Sequence, residues 1–472
     1  MQGRLLVAYS NSANYVSTTA EYLASFGQFS SFDVRYLHVT HGAEPVVDLS
    51  EYDAVLNSYC ARFPIEGCVS PAWRQMLTEF QGVKALAVQD EYDYTNRLHA
   101  AIRDVGFDVV FTNVPQDGLH KVYPPAAFPG VEFVTVLTGY VPDALVRRGN
   151  ASRPMHERPI TVGYRGRDLS PRYGQLAWDK RSIAEGMLAI LRARCDPFSS
   201  NIVSDIRSGE GDRLYGNAWY EWIGSCRSNL AVETGSNAFD WDGEIADEYA
   251  RRAAADPAGR VDWLPFLAWL RPYERDYDMG QISARVFEAA AMRTGLICFP
   301  GRFSGILEPD KHYLPLERDF SNVGDILSAL DNIPALNRMV ERTWSDLIGS
   351  RRYCYERLVE TVDAALLRAA AVKGVKLAGR PLPDDGYEPP FVDSPAARSF
   401  VERPTRQPQS PLLYSFKQVA RMEALLVEDC RRMRELFAAL EYQTQQQGDA
   451  LQREVNELRQ ALLMAQSRQA AE

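Results

Sequence analysis

The strongest constraint on this fold is a rhythm: short apolar runs of strand length alternate with longer amphipathic runs of helical period, and the alternation occurs twice. A first strand reads from 4 to 10 and a helix from 14 to 26. Further strands follow at 32–39, 54–59, 83–89, 109–112 and 133–137, with helices at 71–80 and 94–104. Strands that alternate with helices imply a parallel sheet covered on both faces. Residues 142–160 interrupt the rhythm with two X-Pro steps, Arg153-Pro154 and Arg158-Pro159, and read as a hinge. The pattern then restarts: a strand at 160–164, a long helix at 176–194, a helix at 215–226 and a strand at 228–233. A helix at 281–293 follows, and Gly295 stops it before a buried strand at 296–299. The expected class is α/β, with two Rossmann-like domains, 1–145 and 146–374, facing a cleft.

The rest of the chain is of another kind. Eight prolines fall between 379 and 411, so residues 375–411 bury too little to offset their ordering entropy and read as a Pro-rich linker. Residues 412–472 read as a helical tail. Leu426, Met433, Leu436 and Leu440 fit one heptad register, and Leu451, Val455, Leu458 and Leu462 fit another. That pattern suits a short coiled coil joining copies or a partner protein, and equally an amphipathic helix folded back on the lobes.

Charge and cysteine usage narrow the function. A net charge of −10 argues against a chain built to lie on nucleic acid. The seven scattered cysteines include no CxxC, which argues for a reducing compartment and against structural zinc. With no leader pattern and no long apolar run, the expected location is the cytoplasm or the inner face of a membrane. No G-x-G-x-x-G follows the first strand, so a dinucleotide cofactor there is not expected.

In a doubly wound sheet the working cleft lies beyond the carboxyl ends of the strands. The exits at 10–12, 40–42, 89–91 and 112–113 are therefore the candidates, and Asp90, Glu91 and His41 are the groups able to deprotonate a hydroxyl. Asp90 and Glu91 could equally cap the next helix. Arginine is dense from Arg147 through Arg148, Arg153, Arg158, Arg165 and Arg167 to Arg172, which suggests an anion site. Glu288 interrupts an apolar helix and needs a partner or a solvent-filled cleft, because an unpaired buried carboxylate is costly. Trp219, Tyr220 and Trp222 invite sugar stacking but read better as helix packing. The triplets Asp240-Trp241-Asp242 and Asp276-Tyr277-Asp278 read as surface turns rather than as a metal site.

The run Ser283-x-Arg285-x-x-Glu288-Ala289-x-Ala291-x-x-Gly295 resembles the carboxy-terminal half of group 1 (GT-B type) glycosyltransferases, particularly their spore-maturation-protein-like branch. The resemblance spans about 160–362. It implies that Glu288 holds the ribose of a nucleoside-diphosphate-sugar and that Ser283 and Arg285 line the donor loop. The segment Val162-Gly163-Tyr164-Arg165-Gly166-Arg167, with Asp179-Lys180, is similar to the family's diphosphate clamp, which implies Lys180 together with Arg165 or Arg167. One departure stands out: many members carry a second Glu eight residues before the helix Glu, and here that position is Gly280, with Asp278 two residues away.

The expected function is transfer of a sugar from a nucleoside-diphosphate donor to a hydroxyl on a glycan or lipid-linked acceptor, in surface polysaccharide or glycan biosynthesis. No cofactor, metal or nucleic acid is expected to take part. The alternatives are a catalytically degenerate scaffold that assembles a synthesis complex through its tail, and a sugar-nucleotide epimerase.

Overall fold

The computed structural model describes residues 3–10, 16–40, 42, 45–167, 169–194, 202–257, 259–274 and 276–376. His41, Asn11, Ser12, nearly all of the Pro-rich linker and the helical tail lie outside the described residues.

The first lobe runs β1 (Arg4–Tyr9), α1 (Ser17–Phe29), β2 (Asp33–His38), β3 (Ala54–Asn57), α2 (Pro71–Glu79) and β4 (Val83–Ala87). It continues with α3 (Thr95–Val105), β5 (Val109–Thr112), α4 (Leu119–Val122) and β6 (Glu132–Thr135). All its strands are parallel, in the order β2-β1-β3-β4-β5-β6. Side chains alternate across a strand, so β1 feeds two cores. Leu5 and Val7 pack toward Leu23 and Phe26 of α1, while Leu6 and Ala8 pack in the core of Trp73, Leu98 and Ile102 from α2 and α3. Ser70 caps α2 by accepting a hydrogen bond from the Trp73 amide at 3.1 Å, and Pro71 occupies the first turn, where a missing N–H costs nothing.

The second lobe opens with α5 (Asp143–Asn150), so the segment read as an irregular hinge is partly helical. Then come β7 (Ile160–Arg165), α6 (Gly174–Arg194), β8 (Ser204–Arg207), α7 (Gly216–Gly224), β9 (Cys226–Ala231), α8 (Glu244–Ala255) and α9 (Trp263–Glu274). After α10 (Ala284–Ala291), β10 (Gly295–Cys298) and β11 (Leu314–Pro315), the chain ends in α11 (Val323–Asp331), α12 (Ile333–Trp344) and α13 (Tyr355–Lys373). This sheet is also parallel, ordered β11-β10-β9-β7-β8.

Two joints fasten the lobes. Helix α13 crosses back so that Leu358, Val359, Val362 and Leu366 complete the core over β1, and the Asp363 carboxylate accepts from the Ser31 amide at 2.6 Å. On another side, the Asp240 carbonyl accepts from the Thr95 amide at 3.2 Å, while its carboxylate caps α8 by accepting from the amides of Gly243, Ile245 and Ala246. Asp240 is therefore a buried cap, not part of a surface turn, because three helix-start amides need an acceptor there.

Candidate functional site

Both sheets are wound alike about their first strand, as β2-β1-β3 and β8-β7-β9. In each, the chain leaves that strand to one side and returns on the other, so its exit loops diverge and leave a crevice. The two crevices share one cleft of about 600 Å³. Ser17, Thr18, Arg62 and Asp90 line it from the first lobe, and Arg165, Arg167, Thr234 and Glu288 from the second.

Three helices begin on this cleft: α1 at Ser17, α7 at Gly216 and α10 at Ala284. None of the three has a side-chain cap on its first amides. Uncapped N–H groups and the positive ends of helix dipoles favour an anion.

Side-chain cations reinforce that preference. Arg285 and Glu288 are three apart on α10 and share a helix face. The Arg285 guanidinium lies 5.2 Å from the Tyr164 ring and 5.7 Å from the Trp219 ring, and its buried Nε has no hydrogen-bond partner. Lys180, in the first turns of α6, donates to Thr234 Oγ1 at 3.0 Å. Burial, followed by repulsion from Arg285 and Arg167, pushes its ammonium down to about 8, against which Asp90 acts. Arg167 is exposed on the cleft wall. Among the described residues, these three cations have no carboxylate at ion-pair distance, unlike Arg165 and Arg172.

The arginine-dense stretch does not assemble as its spacing suggests. Arg165 is neutralised by Asp205 at 2.5 Å and lies over the Trp222 ring, which leaves Arg167 as the open member of that pair. Arg158 is buried and donates to the carbonyls of Arg153, Cys226, Met292 and Arg293 and to Thr294 Oγ1, so it clamps chain segments rather than a ligand. Arg148 reaches Asn217, and Arg172 pairs with Asp93. Proximity in sequence overstated the site because each of these guanidiniums finds acceptors within its own lobe or at the joint.

Glu288 is half-buried against the cleft and accepts from Trp219 Nε1 at 3.0 Å. Burial raises its carboxyl, while Trp219 and Arg285 act against that. Trp219 thus lines the cleft, whereas Trp222 supports Asp205 at 2.8 Å and Tyr220 points its hydroxyl at Glu21 of α1, 3.5 Å away. Ser283 sits at the start of α10 on the same wall.

Of the proton-accepting candidates, Asp90 lines the cleft, accepts from Tyr92 Oη at 2.8 Å and lies 3.6 Å from Arg62. Glu91 is a structural tie instead: its buried carboxylate accepts from Thr112 Oγ1 and, at 2.9 Å, from the Asn113 amide, which joins the ends of β4 and β5. Sequence reasoning missed Arg62 because the exit of β3 lacks the run of acids that marks the exit of β4. Glu21 carried no signal at all, since a Glu in a helix of mixed character is ordinary.

The departure at Gly280 has a steric reason. A Cβ built there would collide with the carboxylate of Glu233, which comes from the exit of β9 and accepts from the Phe303 amide at 2.7 Å. A side chain at 280 would have to push the Glu233 carboxylate away from the Phe303 amide. Gly280→Ala should therefore displace Glu233, strand the Phe303 amide and cost about 1–3 kcal/mol in thermal unfolding. Most of that loss should vanish in a Glu233→Ala background; equal losses in both backgrounds would refute the account.

No protein-family model matches the sequence, and no curated protein matches it either. Solved structures similar to this chain include an alpha-glucosyltransferase in complex with UDP and a 13-mer DNA, at a TM-score of 0.46 and 10% identity over 78% of this chain and 100% of that one. The Anabaena HepE protein in complex with UDP and glucose is similar at 0.42 and 8% identity, over 78% of this chain and 100% of that one. A pneumococcal O-GlcNAc transferase in complex with UDP and GlcNAc is similar at 0.38 and 12% identity, over 68% and 58%.

Proposed function

We propose that the chain is a glycosyltransferase that moves a sugar from a nucleoside-diphosphate donor to a hydroxyl acceptor. The observation that carries this reading is the convergence of three uncapped helix starts and three cations on one cleft, next to a half-buried carboxylate. Transfer leaves negative charge on the departing diphosphate, and preorganised donors aimed at that charge are the largest lever on such a barrier. Arg285, Lys180 and Arg167, with the α10 amides, supply it; the reading is accordingly of a metal-independent enzyme.

Glu288 accepts hydrogen bonds from the ribose hydroxyls, which fixes the nucleoside against Trp219. Asp90, across the cleft, takes the acceptor's proton if configuration inverts. The acceptor is a glycan or a lipid-linked sugar in surface polysaccharide synthesis. Donor hydrolysis or transfer by the isolated chain separates this enzyme from a donor-binding scaffold that uses residues 412–472 to join copies or partners. No helix among the described residues is long and apolar enough to cross a membrane.

Calorimetry with UDP, GDP, ADP, CDP and dTDP tests the site. One or more should bind below millimolar, and Glu288→Ala should weaken that binding about tenfold, the value of one charge-assisted hydrogen bond. Failure of every diphosphate to bind, or unchanged binding by the variant, would sink the assignment.

A further inference from the structure

The chain passes between the lobes twice, and the two crossings lie side by side. The Val141 amide, between β6 and α5, donates to the Tyr353 carbonyl at 2.8 Å, and Val141 forms a parallel bridge with Cys354, just before α13. Two adjacent crossings make a hinge, since nothing in the covalent chain stops the second lobe from swinging about them. Tyr140 and Tyr355, at the two crossings, pack against the core on the α1 face of the first sheet.

A second grip falls on the opposite face. Phe239 and Met279 come from the second lobe, yet both are buried in the first lobe's core under α2 and α3, with Trp241 and Tyr277 packed against it. The Phe239 and Tyr277 rings stack at 4.6 Å, and Trp241 meets His99 of α3 edge-on at 5.6 Å. The backbone joins as well. Asp240 forms a parallel bridge with Asp93, and its amide donates to the Tyr92 carbonyl at 2.9 Å. Tyr94, which precedes α3, gives that helix no side-chain cap. The first two amides of α3, on Thr95 and Asn96, donate instead to the carbonyls of Asp240 and Trp241 at 3.2 and 3.0 Å. Such donors have no partner inside their own helix, so α3 of one lobe is capped by the other. Swinging the lobes apart would uncap it and carry Phe239, Met279 and Trp241 into water.

We propose that 239–242 and 277–279 form a strap that holds the lobes at one angle, so that the cleft has its working width before any ligand enters. The same strap pins residues 92–96, directly after Asp90, and with them the separation of Asp90 from the cations of the opposite wall. This holds whatever the cleft binds, so its test is separate from that of the proposed activity.

Spin labels carried by p-acetylphenylalanine in place of Ala72 on α2 and Asn337 on α12, both exposed, report the angle in the full chain and spare its cysteines. The ligand-free chain should give one narrow distance, and a nucleotide that binds, UDP or GDP, should move it by less than about 2 Å. Phe239→Ala with Trp241→Ala should broaden the distribution. In that variant the Thr95 and Asn96 amides should exchange with solvent at least about 100-fold faster, while those of β1 stay protected. A broad or divided distance distribution in the unaltered chain, or a larger shift with either nucleotide, overturns the strap. So does a variant that keeps both β1 protection and the narrow distance. Should the variant lose protection in β1, the distances in the unaltered chain decide alone.

Discussion

Arg285→Ala should lower affinity for the nucleoside diphosphate about 100-fold, the upper range for a charge-assisted contact to phosphate, while leaving affinity for the bare nucleoside within about twofold. The guanidinium is held over Tyr164 and Trp219, so it is positioned before any ligand arrives and little entropy is lost on binding. Arg285→Lys should recover only part of the loss, because a point charge keeps the attraction but not the stacked, forked geometry. Lys180→Ala should give a second loss of similar kind. The double variant should fall short of the sum, since both cations act on one anion. Wild-type affinity should also decline as pH rises from 7 to 9, because the Lys180 ammonium, held down to about 8, discharges in that window. Unchanged diphosphate binding by Arg285→Ala, in a variant that melts like wild type, would remove the cation cluster from the binding site.

How much of this was legible in advance depends on whether a feature is local. The central strands announced themselves because both of their faces are buried: in β1, Leu5 and Val7 serve one core, Leu6 and Ala8 the other, and all four must be apolar. Glu288 was legible for the converse reason, as a charge on an otherwise apolar helix. What the sequence concealed was which charges meet. Arg158 and Arg285 look alike as letters, yet one is consumed by backbone carbonyls of its own lobe and the other opens on the cleft. The α8–α9 pair was also hidden, since its apolar residues serve a small satellite core of Ile245, Phe266 and Leu270 rather than a sheet. Gly280 was opaque in a more specific way: the glycine is set by a neighbour far off in sequence, because the Glu233 carboxylate from the exit of β9 occupies the space a side chain there would take.

The burial of Glu21 within electrostatic reach of Glu288 was beyond sequence reasoning, and it sets a pH dependence with a definite sign. Glu21 of α1 lies near Glu288 of α10, with Tyr220 of α7 donating to it and Tyr355 of α13 close by. Burial first, and the neighbouring Glu288 second, push its carboxyl from 4.5 up to about 8, while the Tyr220 hydrogen bond opposes them. The folded chain therefore holds a proton that the unfolded chain releases at lower pH. Between those two values the native state binds more protons, so stability is fullest below about 4.5 for this group and falls as pH rises toward 8. A full proton is worth about 1.4 kcal/mol per pH unit; for a carboxyl still partly open to water we expect about half that. Glu21→Gln keeps the shape and removes the titration. Its Tm should exceed wild type at pH 8, by several degrees, and the two should converge toward pH 5. The same variant should leave Arg285-dependent diphosphate binding in place at pH 6, where the wild-type Glu21 is itself uncharged. Parallel stability curves for Glu21→Gln and wild type from pH 5 to 8 would show that these two carboxyls do not share a site.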